Sequence, residues 1–181
     1  MSACDITSGF SLGCRDNAGG IRKIYILSGS IDSIDGAEQG LITGITGSGT
    51  FFTFELKKQT SDLTETINSS IENGTVFYDQ TINSIFHKLQ SSTRNQVKIL
   101  AQAPDLKIIV ETNNGSEDSV GVSFLTGQRN GMTLSAGSGQ TGTAFGDLQG
   151  YSLTFNGQEP QPMSEVSGSS IADVLNGITV E

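Results

Sequence analysis

Residues 63–71 divide by parity into a mixed face and a polar one. Leu63, Glu65, Ile67, Ser69 and Ile71 share one parity, and Thr64, Thr66, Asn68 and Ser70 share the other. The second set is wholly polar, so the segment predicts a strand with one wet face. A Glu-Asn-Gly turn at 72–74 then leads into Val76–Gln102, a long stretch with neither glycine nor proline. Two periods compete there. Ile82, Ile85, Phe86 and Leu89 fall at i, i+3, i+4 and i+7, the stripe of an amphipathic helix. Yet Val76, Phe77, Tyr78, Thr81, Ile82, Ile85 and Phe86 are β-branched or aromatic, which suits a pleated surface.

A continuous helix would have to run through Asn83-Ser84 and Ser91-Ser92-Thr93, residues that prefer caps and turns. The spacing therefore predicts a strand over 76–88 and a helix over 93–102. The strand is untidy, because Gln80, Ser84 and Lys88 share the parity of Val76, Tyr78, Ile82 and Phe86. Ser92 or Thr93 is placed to cap the helix, with Gln96 completing a capping box. Val97, Leu100 and Ala101 form its buried side, and Pro104 closes it.

Elsewhere the pattern is β. "IRKIYIL" (21–27) and "FFTFELKK" (51–58) read as strands, separated by a loose region with short pairing at 41–46. "LKIIVE" and "SVGVSFL" flank an Asn-Asn-Gly hairpin signal, and "MTLSA" and "YSLTFNG" flank a glycine-rich loop. Residues 1–19 read as an N-terminal arm, 20–159 as the β domain, and 160–181 as a C-terminal arm with one helical turn around Ile171, Val174 and Leu175. The expected fold is mainly β: a β-sandwich or partly closed barrel with one flanking α-helix.

Composition narrows the function. Nineteen acids oppose ten bases, a formal charge of −9, and no Lys or Arg follows Arg129. Such a chain is poorly suited to gripping nucleic acid, whose affinity comes from Lys and Arg neutralising phosphates. No segment has the run of apolar residues that a membrane helix needs, and "MSACDITSGF" lacks the pattern of a signal peptide. The expected site of synthesis is a cytoplasm, so the acceptor patterns at Asn68 and Asn73 are not expected to be glycosylated.

Candidate chemistry is thin. Gly137-Ser138-Gly139-Gln140-Thr141-Gly142 matches GxGxxG, but a strand follows where a phosphate-binding helix should start. His87 is the only histidine and has no neighbouring motif. Cys4 and Cys14 match no metal or redox spacing and are expected to be thiols. Glu111, Glu117 and Asp118 are not spaced as a calcium loop. No catalytic residue, metal or cofactor is expected.

The order of "FTFELKK", "TINSSIENGTVFYDQTINSIFHKLQSSTRNQVKILAQAP", "IIVETNNG" and "GMTLSAGSGQTGTAFGDLQGYSLTFNGQE" resembles tail tube proteins of tailed bacteriophages, those of phages infecting Bacteroidetes-type hosts in particular. With "CDITSGFSLGCRDNAGGIRKIYI" the resemblance covers about 1–159, leaving 160–181 without a counterpart. It implies a virion protein, assembled in the host cytoplasm, whose hexameric rings stack into a tube. Two long hairpins per subunit would join those of its neighbours in one β-barrel around a channel. The implied partners are further copies of the chain and other tail proteins: a terminator, a baseplate or tip, and in contractile tails a sheath. DNA would pass through without specific binding.

On that reading Glu65, Thr66, Asn68, Asp79, Thr81 and Asn83 are expected to face the channel, where an acidic or neutral wall repels the duplex. Gly137, Ser138, Gly139, Gln140, Thr141 and Gly142, with both termini, are expected at contacts between rings. Two alternatives stay open: another virion component on a similar sandwich (terminator, neck or head decoration protein), and a carbohydrate- or peptide-binding β-sandwich. The second would need a cleft lined with exposed aromatics.

Overall fold

The computed structural model describes residues 9–10, 18–37, 40–114, 123–168 and 170–181. Cys4, Cys14, Glu117, Asp118 and most of the N-terminal arm lie outside them. The described chain is mainly β, as expected, with strands β1 (Ile21–Asp35), β2 (Leu41–Ile42), β3 (Gly44–Glu55), β4 (Asp62–Ser70), β5 (Thr75–His87), then helix α1 (Ser91–Gln102). It continues with β6 (Ile108–Thr112), β7 (Ser123–Thr126), β8 (Thr133–Gln140), β9 (Gly150–Glu159), β10 (Ser164–Val166), a 3₁₀ turn at Ile171–Val174, and β11 (Leu175–Val180).

Two sheets form. A curled sheet of seven strands runs β11-β3-β1-β6-β7-β10-β2, and a sheet of four runs β4-β5-β9-β8. The runs "IRKIYIL" and "LKIIVE" are apolar at successive positions because β1 and β6 are buried on both faces. Ile24, Ile26, Ile108 and Val110 point between the sheets, where they meet Ile82, Phe86, Leu153 and Phe155. Tyr25, Leu27 and Ile109 point into the curl of the larger sheet and meet Ile45, Phe51 and Leu125.

Three expectations are corrected. The region through Gly49 is not loose: β1 continues to Asp35 and pairs with β3 along its whole length. Gly29 lies opposite Gly49 in that ladder, both at positive φ, and a Cβ on either would run into the facing strand's carbonyl. Glycine here permits a close backbone approach within a strand rather than a turn. Second, α1 begins at Ser91 with Gln90 as its N-cap and no side-chain cap, so the Ser92/Thr93 capping box does not form. Leu100 is buried and Val97 packs on the core, but Ala101 is exposed.

Third, 160–181 is not an arm. Ser164–Val166 pairs with β7 and β2, and Leu175–Val180 pairs in parallel with β3. Val166, Ile171, Val174 and Ile178 are all buried in the second core. Ser170 and Asp173 cap the 3₁₀ turn reciprocally, which fixes the chain's reversal into β11.

Candidate functional site: the outer face and free edges of the four-stranded sheet

β4 and β5 pair without a slip, from Asp62↔Asn83 to Ser70↔Thr75. Directly opposed residues share a face. The inner face of β5 buries Gln80, Ile82, Ser84 and Phe86 against the core. The outer face therefore carries Asp62, Thr64, Thr66, Asn68 and Ser70 from β4, and Phe77, Asp79, Thr81, Asn83 and Ile85 from β5. Register extends it to Ser152, Thr154, Asn156 and Gln158 of β9, then to Thr133 and Ser138 of β8. Among these positions there is no Lys or Arg.

Side chains on this face are tied across strands. Asn83 Nδ2 donates to Asp62 Oδ2 (3.1 Å), and Thr154 Oγ1 donates to Asn83 Oδ1 (3.0 Å). Asn156 Nδ2 donates both to Asp79 Oδ1 (2.6 Å) and to Thr81 Oγ1 (3.1 Å). Cross-strand pairs of this kind stiffen a sheet and fix its register. They also occupy polar groups that would otherwise be free to engage a passing solute.

Of the six residues expected to face a channel, Thr66, Asn68, Asp79, Thr81 and Asn83 share this face. Glu65 does not. Its parity is that of Leu63 and Ile67, and its Oε1 accepts from Gln80 Nε2 (3.0 Å) and from the Met163 backbone N–H (2.7 Å). A carboxylate at an inward position is stabilised by those donors rather than by water.

The sheet has two free edges, β4 and β8. β8 is "TLSAGSGQ", exposed along all its length except at Leu134, with no charge and no proline. β4 carries acids but no Lys or Pro. β8 has a register shift between Leu134 and Ala136, but beyond it Ala136–Gln140 are unpaired on their outer side, and each edge presents backbone donors and acceptors to another strand.

The GxGxxG stretch is corrected as well. Gly137, Ser138, Gly139 and Gln140 belong to β8, and only Thr141 and Gly142 lie beyond it. The loop after them is held by Asp147, whose Oδ2 accepts from the N–H groups of Thr143 (2.8 Å) and Ala144 (2.7 Å). Those two donors hold its carboxyl below the usual range. Phe145 stands fully exposed at this loop's apex.

Two buried polar residues were missed in the sequence. Gln80 is fully buried and also accepts from the Gly127 N–H (3.0 Å). Glu159 is buried and accepts from the backbone N–H groups of Arg129, Asn130 and Gly131 at 2.8 to 3.2 Å. Together they tie the four-stranded sheet to the turn between β7 and β8. Gln80's place among apolar residues of like parity was the available signal.

Among the described residues no group of three or more His, Cys, Asp or Glu could hold a metal, and no helix is long and apolar enough to cross a membrane. No protein-family model, curated protein or solved structure matches this chain.

Proposed function

We propose that this chain is a bacteriophage tail tube subunit, forming hexameric rings that stack around a DNA-conducting channel. One observation carries the reading: a single sheet offers two unpaired edges and a mostly polar outer face without Lys or Arg. Pairing β4 of one copy with β8 of the next consumes both edges and turns every outer face toward a common axis.

The dimensions suit the task. Six copies of a four-stranded sheet close ~24 strands. At about 4.8 Å between strands and a tilt near 40°, the wall is about 50 Å across. Side chains of about 5 Å leave a bore of about 40 Å, room for a DNA duplex. Its lining, mostly Ser, Thr, Asn and Asp with Phe77 and Ile85, gives phosphates no Lys or Arg to bind. Virion location, assembly in the host cytoplasm and contacts with other tail proteins belong to the same proposal.

Negative-stain electron microscopy of the purified protein tests it. Hollow tubes of stacked rings are expected, whereas single rings would favour a tail terminator and monomers at all concentrations would sink the reading. Ser135→Lys with Ser138→Lys, on the free β8 strand, should block tubes while leaving the circular dichroism spectrum unchanged.

A further inference from the structure

The β4–β5 hairpin overhangs its sheet: β9 ends its pairing at Tyr78↔Glu159, leaving Thr75–Phe77 and the turn beyond it. At that tip Ile71 is 97% exposed, Ile67 65% and Val76 52%. Glu72, beside Ile71, has no ion pair among the described residues. The tip is thus an apolar knob carrying a carboxylate, uncovered by its own subunit.

The other end of β5 has the opposite character. A groove of about 530 Å³ opens between the end of β3, the end of β5 and the start of α1. Phe54 and Phe86 line it with ring centroids 5.3 Å apart, joined by Leu56, and Lys57, His87 and Gln96 complete its rim. Glu55 also borders it but is paired with Lys23 at 3.4 Å. Lys57 has no carboxylate partner among the described residues. His87 Nε2 is shielded there without a hydrogen-bond partner.

Knob and groove are complementary in both apolarity and charge, and they cannot meet within one chain. They sit at the two ends of β5, a strand of 13 residues, about 40 Å apart at about 3.3 Å per residue. A contact between such ends is heterologous, and repeated head to tail along the tube axis, without a closing rotation, it extends a filament. We infer that the hairpin tip of one copy docks in this groove of a copy in the adjoining ring. Ile71 packs on the Phe54–Phe86 floor, and Glu72 meets Lys57. The occupant, a second copy in the next ring, rests on the tube reading; the complementarity of the two surfaces does not.

The test uses the full chain with Cys4 and Cys14 replaced by Ser. Asn73→Cys and Gln96→Cys proteins are prepared separately, mixed and mildly oxidised. A mixed disulfide dimer is expected as the main product on a non-reducing gel; homodimers alone, or no dimer, would overturn the contact. In parallel, Glu72→Lys and Lys57→Glu should each raise the concentration needed for tube growth about tenfold, and the combined variant should restore it. Unchanged growth in both single variants, or no recovery in the double, also overturns it. If the unmodified protein builds tubes while the cross-link fails, only this contact is wrong. If it builds none, the tube reading fails and the mixed dimer decides the contact alone.

Discussion

Gln80 and Glu65 lie opposite each other across the β4–β5 ladder, and Gln80 Nε2 donates to Glu65 Oε1 at 3.0 Å on the inner face of the sheet. Both residues reach further: Gln80 to the Gly127 N–H, and Glu65 to the Met163 N–H. The β4–β5 hairpin is thereby locked to two other segments of its own chain. Gln80→Met keeps the volume but leaves the Gly127 N–H without its acceptor and removes a donor from Glu65. It should lower stability by about 2–3 kcal/mol, since a buried unpaired group loses its hydration without return. Urea unfolding would read this as a lower midpoint at an unchanged slope.

His87 predicts a pH dependence. Burial holds its imidazole below the usual histidine range, and the Lys57 ammonium adds to the effect. The unfolded chain therefore binds the proton more readily than the folded one. The stabilisation is complete above about pH 6.5, the ordinary histidine value, and is lost as pH falls toward the folded value. Urea midpoints should drop between pH 7.5 and pH 5, and His87→Asn should flatten that part of the profile.

The charge of the outer face can be reversed. Thr81→Lys with Asn83→Lys places two cations per subunit on the proposed channel wall. Tubes of the unmodified protein should not retain short duplex DNA, whereas variant tubes should. Log affinity should fall against log salt with a slope of about −0.9 per neutralised phosphate, as measured by fluorescence anisotropy.

Removing residues 164–181 should unfold the protein. The deletion takes Val166, Ile171, Val174 and Ile178 out of the second core, each worth about 1.5–3 kcal/mol of burial. The sum rivals the whole stability of an ordinary domain. Thermal unfolding by circular dichroism should show no cooperative transition; a folded monomer would contradict the packing described.

Where one parity was wholly polar, the sequence showed the strand and its wet face. Thr66 and Asn68 share a face by parity along β4, Asp79, Thr81 and Asn83 by parity along β5, and the hairpin register brings the two sets together. Glu65 was misplaced because its charge outweighed its parity, although Leu63 and Ile67 beside it already marked that face as inward. The second half of β1 was hidden for a different reason. "SGSIDSID" and "TGSGT" bury little, and those strands are held by backbone pairing and by the Gly29–Gly49 approach, neither of which leaves an apolar period. Ile171 and Val174 marked the helical turn, which forms at Ile171–Val174, but nothing local to them or to Ile178 marked the segment as core. Their burial depends on a core assembled from distant strands, from Tyr25 and Phe51 to Ile109 and Leu125.

That last dependence sets a schedule. Thr50 and Thr179, hydrogen-bonded across β3 and β11, are 129 residues apart in the chain. The β1–β3 hairpin can zip as soon as it is made, but β3's other side must wait until residue 180 exists. Until then the growing chain carries an open strand capable of recruiting the wrong partner. Refolding followed by hydrogen exchange should accordingly protect β1 first and β11 last.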